Sequence, residues 1–140
     1  MDQPLIRVAA AEARALIAAR WLDHFGSERR LGEVLLHPHQ REAVARLRAL
    51  LDAHGGALLA DEVGLGKTYV ALAIAARFGR TVVVAPASLR AMWQQASRVA
   101  AVPVAIFTHE ALSAGARIGE RPDLVIVDEA HHARNPATRR

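Results

Sequence analysis

The sequence predicts an open α/β fold, a parallel sheet with helices on both faces, preceded by a helical amino-terminal segment. Three observations lead there. Short apolar or β-branched runs near residues 57–60, 81–85, 102–107 and 123–127 alternate with segments whose apolar residues recur every three or four positions. The first run opens into a glycine-lysine-threonine loop, Leu59 to Thr68, reading LADEVGLGKT. The last, DLVIV at 123–127, runs directly into Asp128 and Glu129, and open parallel sheets take their ligands at the carboxyl ends of their strands.

Taken in order, an alanine- and arginine-rich helix spans about residues 10–24, with Ala13, Leu16, Ile17 and Trp21 on one face and Phe25 and Gly26 closing it. A polar link over 27–33 leads to a second helix over about 39–53, whose buried side is Ala43, Val44, Leu47, Leu50 and Leu51. His54, Gly55 and Gly56 end it. After the loop, Val70, Ala71, Ile74 and Phe78 mark the next helix. Leu89, Met92, Trp93, Ala96 and Val99 form a stripe on the one after, and such a stripe is core packing more often than a platform for stacked bases. There are no internal repeats and no low-complexity stretches.

The loop has the chemistry of a phosphate cradle. Gly64 and Gly66 let the backbone turn with its amides inward, where a side chain would block a phosphate. Lys67 adds a positive charge for the β- and γ-phosphates, Thr68 offers a hydroxyl to magnesium, and the following helix presents its positive end. The general phosphate-loop pattern asks for glycine where Asp61 stands. Asp61 and Glu62 would repel the ligand if they served as an acid/base pair, so they are read as shaping the loop. Magnesium prefers hard oxygens and keeps several waters, so Asp128 can hold it through water while Thr68 coordinates directly. Glu129 is then left to orient or deprotonate an attacking water.

Composition bounds the remaining classes. The 140 residues fit one domain at most, and a 52% hydrophobic content can build an ordinary core. No apolar segment approaches the roughly 20 residues of a membrane span, and MDQPLIRV carries an early acidic residue instead of a signal-peptide pattern, so a cytoplasmic location is expected. The absence of cysteine excludes a disulfide framework and a cysteine metal site. His37, His39, His131 and His132 have no cysteine beside them and are not read as a zinc site. A formal charge of +4 and a pI near 10.9 are compatible with a polyanionic partner, and Lys67 is the only lysine.

DEVGLGKT, PASL and DEAH together resemble the Swi/Snf branch of the superfamily-two helicase-related ATPases, whose loop spelling has aspartate where Asp61 stands. The resemblance covers about residues 37–140 and implies a RecA-like P-loop NTPase lobe there, with residues 1–36 as a helical extension. It implies ATP and Mg2+ as cofactors, held by Asp61, Glu62, Val63, Gly64, Leu65, Gly66, Lys67 and Thr68, with Lys67, Asp128 and Glu129 carrying the chemistry. Gln40 in HPHQREAV matches the glutamine that recognises adenine, and an amide can both donate and accept on one base edge. Pro86 and Ser88 in VVVAPASLRAMW, and Thr108 in IFTHEAL, match positions that contact the nucleic-acid backbone. His131 matches a relay between nucleotide and nucleic-acid sites, and NPATRR resembles the segment following DEAH in bacterial members.

By the same resemblance a further strand, a coupling motif and a second lobe with an arginine finger follow DEAH, and none of these stands before Arg140. The expectation is therefore the amino-terminal portion of lobe 1, truncated after DEAH, from a translocase that couples ATP hydrolysis to movement on double-stranded DNA. As an isolated chain it is expected to be inactive. The alternatives are a non-catalytic nucleotide- or nucleic-acid-binding fragment, a poorly folded product, or another phosphate-loop motor.

Overall fold

The computed structural model describes residues 30–60, 64 and 66–130. The helix expected near residues 10–24, the loop residues Asp61, Glu62, Val63 and Leu65, and everything from His131 onward lie outside the described residues.

The described part opens with a small antiparallel hairpin, β1 (Arg30–Leu31) and β2 (Val34–Leu35), where a polar link was expected. Its turn docks on the rest of the molecule. Glu33 N–H donates to the carbonyl of Val99 at 2.9 Å. Gly32 sits at φ +58°, and a Cβ there would lie 2.5 Å from that same carbonyl oxygen, so only glycine fits the approach.

Helix α1 (Pro38–His54) matches the second expected helix within one residue at each end. Pro38 is suited to the first turn because the missing N–H would have had no helical partner. Gln40 Oε1 accepts the His37 amide at 2.9 Å, one half of a capping box. Helix α2 (Lys67–Ala75) begins directly at the phosphate loop. It ends at Ala75, so Phe78 lies beyond it in the turn that leads to β3, which shortens the expected helix.

The sheet is parallel and three-stranded: β3 (Thr81–Ala85) lies between β4 (Ala105–Thr108) and β5 (Leu124–Val127). All five residues of β3 are buried, as a central parallel strand covered on both faces requires. β4 starts later than expected because Pro103 has no amide to give to a ladder. A reciprocal pair fastens the start of the sheet: Asp123 N–H donates to the Arg80 carbonyl and Arg80 N–H donates to Asp123 Oδ2, both at 2.8 Å. Arg80 also forms an ion pair with Glu120 on the surface. A short 3-10 turn (Ala87–Leu89) and α3 (Arg90–Val99) follow β3, and α4 (His109–Ser113) follows β4.

Helix α2 is the keystone of the packing. Leu72 and Ala75 face Val83 and Ala85 of the sheet, together with Trp93, Ala96 and Ala100. Val70, Ala73 and Ile74 face Ala43, Val44 and Leu47 of α1. A helix that is apolar all round is one buried on every side, and α2 reads VALAIA through its core.

Residues 57–60, expected as a strand, form none, and Leu58 is 78% exposed. A strand exists only where a neighbour pairs with its backbone, and the outer edge of β5 has no partner among the described residues. Val125 and Val127 on that strand are correspondingly exposed.

Candidate functional site

Parallel register brings three strand ends to one edge: Ala85 pairs with Thr108, and Val84 with Val127. Pro86 to Ser88, Thr108 to Glu110, and Asp128 with Glu129 therefore leave the sheet side by side. The phosphate-loop helix joins them through α3. Thr68 Oγ1 donates to the Met92 sulfur at 3.8 Å, and the next residue, Trp93, donates its indole N–H to Asp128 Oδ2 at 2.9 Å. Two consecutive residues of one helix thus touch the hydroxyl and the carboxylate read as magnesium ligands.

Asp128 is held at every polar atom. Its amide continues the ladder by donating to the Val84 carbonyl at 2.8 Å, and its own carbonyl accepts from His109 Nε2 at 2.9 Å. Oδ1 accepts the Glu129 amide at 2.9 Å. Both hydrogen bonds to the carboxylate come from neutral N–H donors, Trp93 and the Glu129 amide. Glu129 occupies the left-handed region at φ +51°, a conformation that costs a non-glycine residue on the order of 1–2 kcal/mol.

At the loop, Gly66 caps α2 at φ +74°. A Cβ there would run into Gln40 Nε2, so the amide of Gln40 lies directly over the phosphate loop. Gln40 is only 5% exposed, and its carbonyl oxygen already accepts the His37 amide. The side chain read as an adenine contact thus also ties the start of α1 to the loop. His37 and His39 stack beside it with ring centroids 5.7 Å apart.

The chain matches no family model. A solved structure similar to it is the Sulfolobus solfataricus SWI2/SNF2 ATPase core in complex with dsDNA, with a TM-score of 0.69 and 20% identity over 79% of this chain. This chain spans 29% of the length of that one. The chain shares the fold of the matching part of that ATPase core. Its parallel sheet flanked by helices is a partial RecA-like domain.

At this edge the strand-end residues differ in what they present. Ser88 is exposed and Pro86 half-buried. Thr108, read as a nucleic-acid contact, is buried, and its hydroxyl accepts the Ala111 amide at 3.1 Å. The hydroxyl is committed to capping α4. Sequence reasoning passed over Glu110, whose Oε2 accepts the Ala87 amide at 3.2 Å and so links the start of α4 to the 3-10 turn after β3. Its own backbone amide, then the amide of Ala87, the Thr108 hydroxyl and the nearby His109, hold its carboxyl below the usual 4.5. Trp93 was read as core alone. It is core, at 2% exposure, and it is also the donor to Asp128.

Two outcomes follow. Because Glu110 titrates below 4.5 in the folded chain, its link to Ala87 is intact at neutral pH and is lost as pH falls through that depressed value. Protection of the Ala87 amide, taken as its exchange relative to the intrinsic rate at each pH, should therefore fall on acidification, and in E110A it should be lost already at pH 7; equal protection in the two proteins would refute the link. G66A should lower stability by about 1–2 kcal/mol from its left-handed backbone alone, with crowding against Gln40 added. In denaturant melts, Q40A should recover only the crowding part, and a purely additive double variant would contradict the contact.

Proposed function

We propose that this chain is the nucleotide-binding portion of an ATP-driven motor that moves along double-stranded DNA. One observation carries the reading: α3 touches both Thr68 and Asp128, so the phosphate-loop helix and the strand-end carboxylate share one support at the sheet edge. The similarity in fold to an ATPase core in complex with dsDNA supports ATP hydrolysis as the reaction class and DNA as the partner.

The residues suit ATP and magnesium. Two hard oxygen donors, Thr68 and Asp128, meet one helix, as a magnesium ion requires. Bound magnesium would neutralise phosphate charge and orient the polyphosphate. Lys67 draws in the β- and γ-phosphates, and the amides at the start of α2 add the positive end of a helix. Gln40 lies over the loop, placed to read the adenine edge with whichever of its polar atoms faces the base. Asp61, Glu62, Val63 and Leu65 complete the loop with Gly64 and Gly66. Glu129 follows the metal-binding carboxylate directly and orients, then deprotonates, the attacking water.

Pro86 and Ser88 leave the sheet next to this centre and contact the DNA backbone, with His131 relaying between the two sites. A second RecA-like lobe is the natural partner, closing over the nucleotide to move the DNA. No helix among the described residues is long and apolar enough to cross a membrane. A cytoplasmic location is part of the proposal.

Lys67→Ala should weaken nucleotide binding by about 10- to 100-fold, the worth of roughly 1.5–3 kcal/mol of charge-assisted contact. Glu129→Gln should leave binding within a factor of about two or three, under 1 kcal/mol, and stop DNA-stimulated hydrolysis in the product of the full reading frame. Calorimetry with ATP and a phosphate-release assay check both. Undiminished DNA-stimulated turnover in K67A would sink the assignment.

A further inference from the structure

We infer that Trp93 is a positioning residue for the metal-binding carboxylate: its indole N–H sets the orientation of Asp128 and thereby the magnesium affinity of the nucleotide site. The inference rests on the reading of Asp128 and Thr68 as magnesium ligands.

Trp93 has one polar atom, and it is buried to 2% exposure in the core between α2, α3 and the sheet. A buried indole needs an acceptor, and a neutral backbone carbonyl would satisfy it. This one goes instead to a carboxylate, Asp128 Oδ2, at 2.9 Å. A hydrogen bond to an ionised acceptor is about twice as strong as a neutral one.

The remaining contacts of Asp128 make this bond decisive. Its main chain is fixed by Val84 and His109, and Oδ1 is fixed by the amide of the adjacent Glu129. Among the described residues, the Trp93 hydrogen bond is the one from a distant part of the chain, 35 residues away, that restrains the side-chain torsions of Asp128. Each carboxylate oxygen takes one hydrogen bond and keeps a lone pair for a cation or its water. Met92, next to Trp93, lies against the Thr68 hydroxyl. The first turns of α3 therefore set the positions of both oxygen donors relative to each other. Outer-shell donors of this kind orient metal ligands, and their loss commonly weakens metal binding by about 10- to 100-fold.

Trp93→Phe keeps the aromatic packing and removes only the donor. In the full chain, binding of the non-hydrolysable analogue AMP-PNP is titrated with Mg2+ and repeated in EDTA. W93F should raise the magnesium concentration for half-maximal binding by roughly tenfold or more, and should leave the EDTA affinity unchanged. An unchanged magnesium requirement overturns the inference, as does an equal weakening with and without magnesium, which is the signature of packing alone.

A second readout needs neither nucleotide nor metal. The Trp93 indole resonance, assigned by its loss in W93F, should move upfield in D128A. If W93F does not unfold cooperatively, this resonance decides, and a Trp93 signal unmoved in D128A overturns the inference. Wild-type chain that binds no AMP-PNP at all would defeat the assignment of the nucleotide site, while the indole shift would still report on the hydrogen bond.

Discussion

β3 has no exposed residue, and the burial of a parallel strand on both faces is the constraint from which the rest of the arrangement follows. Thr81 to Ala85 must be paired on two edges and covered above and below. Parallel pairing forces each strand to return through a crossover, so the strands all end on the same edge. Helix α2, apolar on every side, can lie only between that sheet and another helix, which is where α1 meets it. The phosphate loop is the amino-terminal end of that buried helix. Its position relative to the strand ends is thus a by-product of covering β3.

Helix α3 turns this packing into a site. It enters straight from the loop after β3, buries Trp93 and Ala96 against the sheet, and spends the single polar atom of Trp93 on Asp128. The same helix reaches Thr68 through Met92. A residue that anchors the core and also restrains a candidate metal ligand couples stability to chemistry: loosening α3 would disturb both. Glu110 plays a lesser version of this part by fastening the 3-10 turn after β3 to the start of α4.

Much of the fold was legible because its signals are local and redundant. TVVVA and LVIV are β-branched runs with no competing periodicity, and HPHQREAV carries its helix start in proline and glutamine. The segment 57–60 was misread because an apolar run states only that burial is possible, whereas a strand needs a neighbour that composition does not announce. The hairpin at 30–35 escaped because two residues per strand are too few to show alternation. Its one clue was Gly32 between Arg30-Leu31 and Val34-Leu35.

Within the site, the residue types that chemistry demands, Gly66, Lys67, Thr68, Asp128 and Glu129, could be picked out from their order along the chain. Their supports could not. Treating Trp93 as part of an apolar stripe ignored its N–H, and asking where a buried indole donates would have directed attention to an acceptor such as Asp128. Likewise Thr108, followed by HEALS, has the form of a helix cap, and the structure uses it as one. The central claim is that the start of α2 and the end of β5 share one cation. Manganese in place of magnesium, added with AMP-PNP, should broaden the amide resonances of residues 66–69 and of Asp128 and Glu129 together, leaving the hairpin at 30–35 sharp. Broadening confined to one of the two segments, or equally strong in the hairpin at 30–35, would contradict it.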